Sequence, residues 1–327
     1  MTNQKQIARD LGVSVATVSN ALAGKGRVSA DVVELVTARA QQLGYVPSPA
    51  ARALKTGRSG ILGLVMPDIT MQAFPEFAQG MEAEADKSGF GVLIANARGH
   101  EEGQTKAIQQ LIQRGVDGIV LIPLRGTTPD LPFSVPVAIV STQNDQRNTV
   151  SANHCQGGEL AAKALLDLGH RNFLLLGEDT RSQVQADRIS GMIDMIKRSS
   201  ETLAVSYDVR WITDGFPDLL EMQRNGVTGV LTVSDLLSLR VVTEAAMLDI
   251  KCPKDFSVIG FDDLPFAKVV RPTLSTITPD VTEISSRAIA YLSAAIRQDE
   301  HLPKPVAVEM ALCLRESVAS AKPAARH

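Results

Sequence analysis

Apolar residues in the first 45 positions recur at helical spacing. Ile7, Ala8 and Leu11 form one short stripe, and Val18, Ala21 and Leu22 form a second, with Gly12 and Ser14 between them. Apolar positions three and four apart share one helix face, so the pattern predicts two short helices packed together. Gly12 allows a tight turn that a side chain would crowd. Ser14 suits an N-cap, because its hydroxyl can accept from the free N–H groups of the next turn. The other face of the second helix carries Val15, Ala16, Thr17, Ser19 and Asn20, all small or polar and uncharged. Such a face can enter a DNA major groove without desolvating a misplaced charge. The same residues also fit an ordinary helical hairpin, and the rest of the chain decides between the two. A third helix is expected over 31–43, with Ser29 near its N-cap, Asp31 in its first turn and Gly44 ending it. Val32, Leu35, Val36 and Leu43 are its expected inward stripe.

Pro47 then breaks the chain, Ser48 can cap, and Pro49 suits a first helical position. Positions 50–55 form helix readily but span under two turns, too few to be stable in water without a packing partner. Residues 57–60 (Gly-Arg-Ser-Gly) have the composition of a linker.

From Ile61 the texture changes. Apolar runs at 61–66, 91–95, 118–122, 135–140, 172–176, 227–233 and 256–261 alternate with amphipathic stretches at 74–88, 101–114, 156–168, 184–198, 216–224, 236–248 and 281–297. Continuous apolar strands separated by helices predict parallel sheets covered on both faces. The strands are too many for one compact open sheet. Two α/β lobes with a cleft between them are therefore expected, the segment 156–168 crossing between halves. Ligands in such sheets bind beyond the carboxyl ends of the strands.

Charge sharpens the division. Residues 1–60 hold eight basic side chains (Lys5, Arg9, Lys25, Arg27, Arg39, Arg52, Lys55, Arg58) against Asp10, Asp31 and Glu34. That +5 leaves −8 for the remainder of a chain whose total is −3. A basic module on an acidic body is expected when one end touches phosphates. The three cysteines, Cys155, Cys252 and Cys313, are far apart, fit neither a disulfide framework nor a zinc site, and read as buried small apolar residues. Met1 to Gln6 lack the shape of a signal peptide and no run of about 18 apolar residues occurs, so a cytoplasmic protein is expected. Enzyme motifs are missing: there is no phosphate-binding G-x-x-x-x-G-K-[ST], no G-x-G-x-x-G after a strand, no G-x-S-x-G and no H-E-x-x-H. The five histidines, at 100, 154, 170, 301 and 327, show no ligand spacing, and Gly24-Lys25-Gly26 is explained by a turn. No cofactor or metal is expected.

The order of these parts resembles the LacI/GalR family of bacterial transcription regulators over nearly the whole chain. The resemblance rests on Gly12-Val13-Ser14, Thr17-Val18-Ser19, Val28-Ser29 and 43–47 (Leu-Gly-Tyr-Val-Pro) in the headpiece, and on 50–54 (Ala-Ala-Arg-Ala-Leu) as a hinge helix. In the body it rests on 115–119, Leu168-Gly169-His170-Arg171, 258–263 and 272–277. The fold it implies is an all-α helix-turn-helix headpiece (1–46), a hinge helix and linker (47–59), and a two-lobed periplasmic-binding-protein-like body of parallel sheets (60–327). The function it implies is that of a homodimeric repressor on pseudo-palindromic operator DNA, controlled by a carbohydrate or related small molecule.

Carried onto this sequence, the resemblance gives base-reading positions to Val15, Ala16 and Asn20, phosphate contacts to Thr17 and Ser19, and a minor-groove wedge to Leu54. It gives effector contacts to Phe74, Arg188, Ser234, Asp235 and Asp262. Surface or interlobe ion pairs are the alternative for the charged members of that set. Two departures stand out. Ser141 and Ala152 occupy positions where many relatives carry aspartate, which weakens the case for a common hexose and admits a smaller or anionic ligand. Arg98, Arg125 and Arg147 follow strands of the first lobe, where a phosphate or carboxylate could meet them, although solvated surface arginines are commoner. A transport protein of the same body fold is the rival reading; it would need an export signal and would lack the headpiece. The stretch 319–327 has no leucine heptad, so a dimer rather than a tetramer is expected.

Overall fold

The structure, a computed structural model, describes residues 4–22, 28–45, 57–127, 133–143 and 145–321. The chain divides into two compact units, Met1–Gly60 and Ile61–His327.

The first unit holds α1 (Gln4–Leu11), α2 (Val15–Leu22) and α3 (Ala30–Gln42). Ile7, Ala8, Val18, Ala21, Val36 and Ala40 are its buried core, with Leu11, Leu22, Val32 and Leu43 packed against it. Gly12 takes φ +62° in the turn, and the Ser14 hydroxyl accepts the Thr17 N–H at 3.0 Å, as an N-cap should. Leu35 departs from the expected stripe and is exposed. The buried line on α3 runs 32–36–40 at helical spacing, which puts Leu35 about 100° away on the helix wall. Asp10 and Arg39 tie α1 to α3 through a 2.6 Å ion pair. The hinge segment with Leu54 lies outside the described residues, as do Gly24-Lys25-Gly26 and the last six positions.

The second unit contains two main sheets. In the first lobe β1 (Ile61–Met66), β2 (Gly91–Asn96), β3 (Gly118–Leu121) and β4 (Val137–Ile139) form a parallel sheet in the order β2-β1-β3-β4. Helices α4 (Phe74–Lys87) and α5 (Glu101–Gln113) connect its strands. After β5 (Val150–Ala152) the chain enters the second lobe through α6 (His154–Asp167). That lobe continues as β6 (Asn172–Gly177), α7 (Gln183–Ser200), β7 (Ser206–Trp211), α8 (Leu219–Arg224), β8 (Gly229–Thr232), α9 (Asp235–Met247), β9 (Ser257–Phe261) and β10 (Ser275–Pro279). The chain returns to the first lobe with α10 (Val281–Arg297), which packs on β3, β4 and α4. It then makes β11 (Val306–Val308), parallel to β5, and ends in β12 (Met310–Cys313), the antiparallel edge of a sheet ordered β12-β10-β9-β8-β6-β7.

The chain thus passes between lobes three times, at Asn153, Asp280 and Glu309. The expected crossing at 156–168 is corrected: α6 belongs wholly to the second lobe, and the crossing is the single residue before it. Each crossing is short and polar. The Asn153 N–H donates to Val308 O (2.7 Å), its amide donates to Glu309 (3.2 Å), and its carbonyl caps α6 at Gln156 N. The Gln156 carboxamide pairs with both backbone groups of Met310 (3.0 and 3.2 Å). The Asn153 and Glu309 crossings are thus tied to each other by side-chain and backbone hydrogen bonds.

Strands β6, β8 and β9 are buried almost throughout, which is why they read as continuous apolar runs. The five strands not anticipated are short, polar or at an edge. Ser206–Trp211, for example, is mostly exposed at the sheet margin.

Candidate ligand cleft and DNA-facing helix

Helix α2 presents Val15, Ala16 and Asn20 to solvent, with Thr17 and Ser19 half-buried beside them. Val15 is 41% exposed although apolar. Its side chain therefore contributes little to the headpiece core, and the exposed face remains small and uncharged.

Between the two lobes lies a cavity of about 920 Å³, lined from both sides. Phe74 and Phe77 supply an apolar wall from the start of α4. Arg188, on the first turns of α7, is buried opposite. One terminal nitrogen donates to Val233 O (2.7 Å) and the other to Asp262 Oδ1 (2.8 Å). Its Nε donates to His154 Nδ1 at 3.4 Å, and its guanidinium carbon lies 4.5 Å from the Phe261 ring centre. Burial, reinforced by Arg188, holds His154 well below its usual pKa. A neutral ring is what lets Nδ1 accept from a guanidinium.

Asp262 and Asp263 follow β9 with φ of 96° and 52°. Two consecutive residues there are strained for L-amino acids and are held by their surroundings. Asp262 N donates to Ile277 O (2.8 Å), and the Asp263 carboxylate pairs with Arg315 and Lys268. The turn sets Asp262 at the cavity with Oδ1 engaged by Arg188.

Ser234 also lines the cavity, capping α9 through Leu237 N (3.2 Å) and donating to Glu178 (2.9 Å). Asp235 does not line it. It is fully buried beneath, with Oδ2 accepting Leu264 N–H (2.9 Å) and Oδ1 lacking a well-formed hydrogen bond. Gly260 permits this, since a side chain there would strike the Asp235 carboxylate. Burial pushes the Asp235 carboxyl up to about 7; the Thr276 hydroxyl opposes the shift, and Asp262 reinforces it.

In the unfolded chain this group ionises near 3.8, so the native state holds its proton more tightly. Stability is then full below that value and declines as pH rises towards 7, by at most about 1.4 kcal/mol per unit. Asp235→Asn keeps an acceptor for Leu264 and should flatten the decline, raising the melting temperature at pH 8 above the parent's. Superimposable pH–melting profiles would contradict this.

Glu178 and Gln185 were invisible to sequence reading, yet they organise the cleft. Gln185 Oε1 accepts both Glu178 N (2.9 Å) and Asp179 N (3.0 Å), and its amide donates to Glu178 Oε2 (3.0 Å). Arg125 of the first lobe reaches to 3.8 Å from that same oxygen. Arg147 lines the cavity beside Asp145, whereas Arg98 is not among the lining residues. His170 is structural: its Nε2 pairs with Ala319 O and its Nδ1 with the Thr228 hydroxyl, both at 3.0 Å. The three cysteines are unpaired and only half-buried, and burial lifts the Cys252 thiol to about 12. Among the described residues no group of side chains could hold a metal, and no helix is long and apolar enough to cross a membrane.

A three-helix unit with a small, uncharged exposed face, in one chain with a ligand-sized cleft between two lobes, is the make-up of ligand-responsive DNA-binding proteins. Three family matches agree. Residues 4–48 match the bacterial regulatory proteins of the lacI family. Residues 59–223 match the periplasmic binding proteins and sugar binding domain of the LacI family, and residues 162–318 match a periplasmic binding protein-like domain. The chain belongs to the LacI family. It is 27% identical to the ribose operon repressor of Haemophilus influenzae, over 98% of this chain and 100% of that protein. It is 29% identical to the ribose operon repressor of Halalkalibacterium halodurans, over 93% and 92%. Its fold superposes on the lac repressor dimer bound to operator and the anti-inducer ONPF with a TM-score of 0.77, at 22% identity over 97% and 99% of the two chains.

Proposed function

We propose that this protein is a homodimeric repressor whose hold on operator DNA is set by a small hydroxylated ligand bound between its lobes. The observation that carries the reading is Arg188, buried at the cleft and holding Asp262 while both line the cavity. A guanidinium and a carboxylate fixed against each other present donors and acceptors to adjacent hydroxyls, and Phe74 offers a ring face to the carbon frame. Ser234 adds a hydroxyl, and Asp235 supports the turn beneath. On the DNA side Val15, Ala16 and Asn20 read bases, Thr17 and Ser19 meet phosphates, and Leu54 wedges the minor groove. The chain is taken as headpiece (1–46), hinge and linker (47–59) and sensor body (60–327). Repressor relatives support a non-catalytic role, and work on chromosomal DNA implies the cytoplasm. For dimerisation, α9 turns Leu236, Thr243 and Met247 outward in one stripe, and Met247 is 78% exposed.

Closing the lobes changes the spacing of two hinges in a dimer, so ligand and operator affect each other's affinity. On an operator selected from random duplexes, Leu54→Ala should lose about tenfold or more in DNA affinity and keep its ligand affinity. Equal operator affinity would remove the wedge.

A further inference from the structure

We infer that the effector carries an oxyanion, a carboxylate or phosphate on a hydroxylated carbon frame, received on the first lobe by Arg125; this rests on the interlobe ligand site proposed above.

Each carboxylate lining the cavity has a partner on at least one oxygen, whereas one lining guanidinium makes no hydrogen bond among the described residues. Asp262 holds Arg188, and Glu178 accepts from Ser234 and Gln185. Asp179 takes two bonds from the Arg181 guanidinium (3.0 and 2.9 Å). Asp68 is folded back on Thr70 and Asp145 on the Arg147 N–H. Arg125 is different. Its closest carboxylate oxygen, at 3.8 Å, is beyond hydrogen-bond length and already serves Gln185, and Arg125 makes no hydrogen bond among the described residues. A guanidinium offers five N–H donors in a planar fork that matches a carboxylate or phosphate edge.

A second, independent feature points to a ligand on the same wall. Thr142 is buried and lines the cavity, yet its hydroxyl has no partner among the described residues. An unpaired buried hydroxyl costs stability unless something completes it, and a ligand oxygen would. The first lobe therefore presents the Arg125 guanidinium and the unpartnered Thr142 hydroxyl to the cavity. Across the cleft, His154 at the start of α6 and Gln183, Val184 and Gln185 at the start of α7 border the same space. The N-terminal ends of both helices add partial positive charge there. The cavity of about 920 Å³ holds more than one sugar ring, leaving space for such a group.

Calorimetry on the full chain with matched pairs tests this: D-gluconate against D-glucose, and D-ribose 5-phosphate against D-ribose. At least one acid should bind about tenfold or more tightly than its neutral parent, and the pair that does so distinguishes carboxylate from phosphate. Arg125→Gln should erase that preference, while Arg125→Lys retains part of it. Neutral sugars binding as tightly as their acids, no acid binding, or an unchanged acid affinity in Arg125→Gln would each overturn the inference. Arg188→Ala separates the two readings. If acid binding survives that substitution, the interlobe site itself is wrong; if binding vanishes there but ignores Arg125, only the anion is wrong.

Discussion

Gly191→Ala is expected to cost on the order of 4 kcal/mol or more, enough to unfold much of the protein at 37 °C. Helices α6 and α7 lie backbone to backbone. A side chain added at Gly191 would strike the Cys155 carbonyl, and one added at Gly158 would strike the Arg188 carbonyl. Neither obstacle is the movable end of a side chain, so the helices themselves must separate. Glycine inside a helix costs about 1 kcal/mol against alanine, so its presence here signals close packing rather than helix preference. The contact also places Arg188, which sits one turn before Gly191 on α7. Thermal unfolding followed by circular dichroism should show the loss for Gly191→Ala and Gly158→Ala alike. Parental melting temperatures in both would show that the helices can part freely.

Arg188→Ala should abolish ligand binding, with an affinity loss of about a hundredfold or more. It should also destabilise the chain by about 3 kcal/mol, because Asp262 and the Val233 carbonyl lose their partner. The two effects are separable. Pairing Arg188→Met with Asp262→Asn removes both charges, so stability should largely return while ligand binding does not. Recovery of binding in the double variant would mean that the pair is structural only.

Much of the fold was legible because its strongest elements are long and periodic. The buried strands β1, β6 and β9 and the helices Phe74–Lys87, Glu101–Gln113 and Val281–Arg297 all lie within a few residues of their expected bounds. What escaped was whatever depends on distant partners. Strand Val306–Val308 exists only through pairing with Val150–Ala152, over 150 residues away. Glu178 and Gln185 look like ordinary surface polar residues until the chain is folded. Two signals were available and unused: the adjacent Gly157 and Gly158 inside a helical pattern, and Gly191 likewise, which mark a close backbone approach. In the site, the sequence motifs led to Arg188, Asp262, Phe74 and Ser234, all of which line the cavity. Asp235 shows the limit of motif reasoning. It stands next to a lining residue, yet the N-cap geometry of Ser234 turns it into the core, where it props the loop at Leu264.

The central claim is that one cleft and one DNA-facing surface share a single equilibrium. Its most direct test is to measure the affinity of the full chain for a binding ligand twice, free and saturated with its selected operator, and then operator affinity with and without that ligand. Linkage requires the same factor in both directions, between about 5-fold and 150-fold for a typical coupling. It should disappear in Arg188→Ala. Ligand affinity that is identical in the free and operator-bound protein would contradict the account.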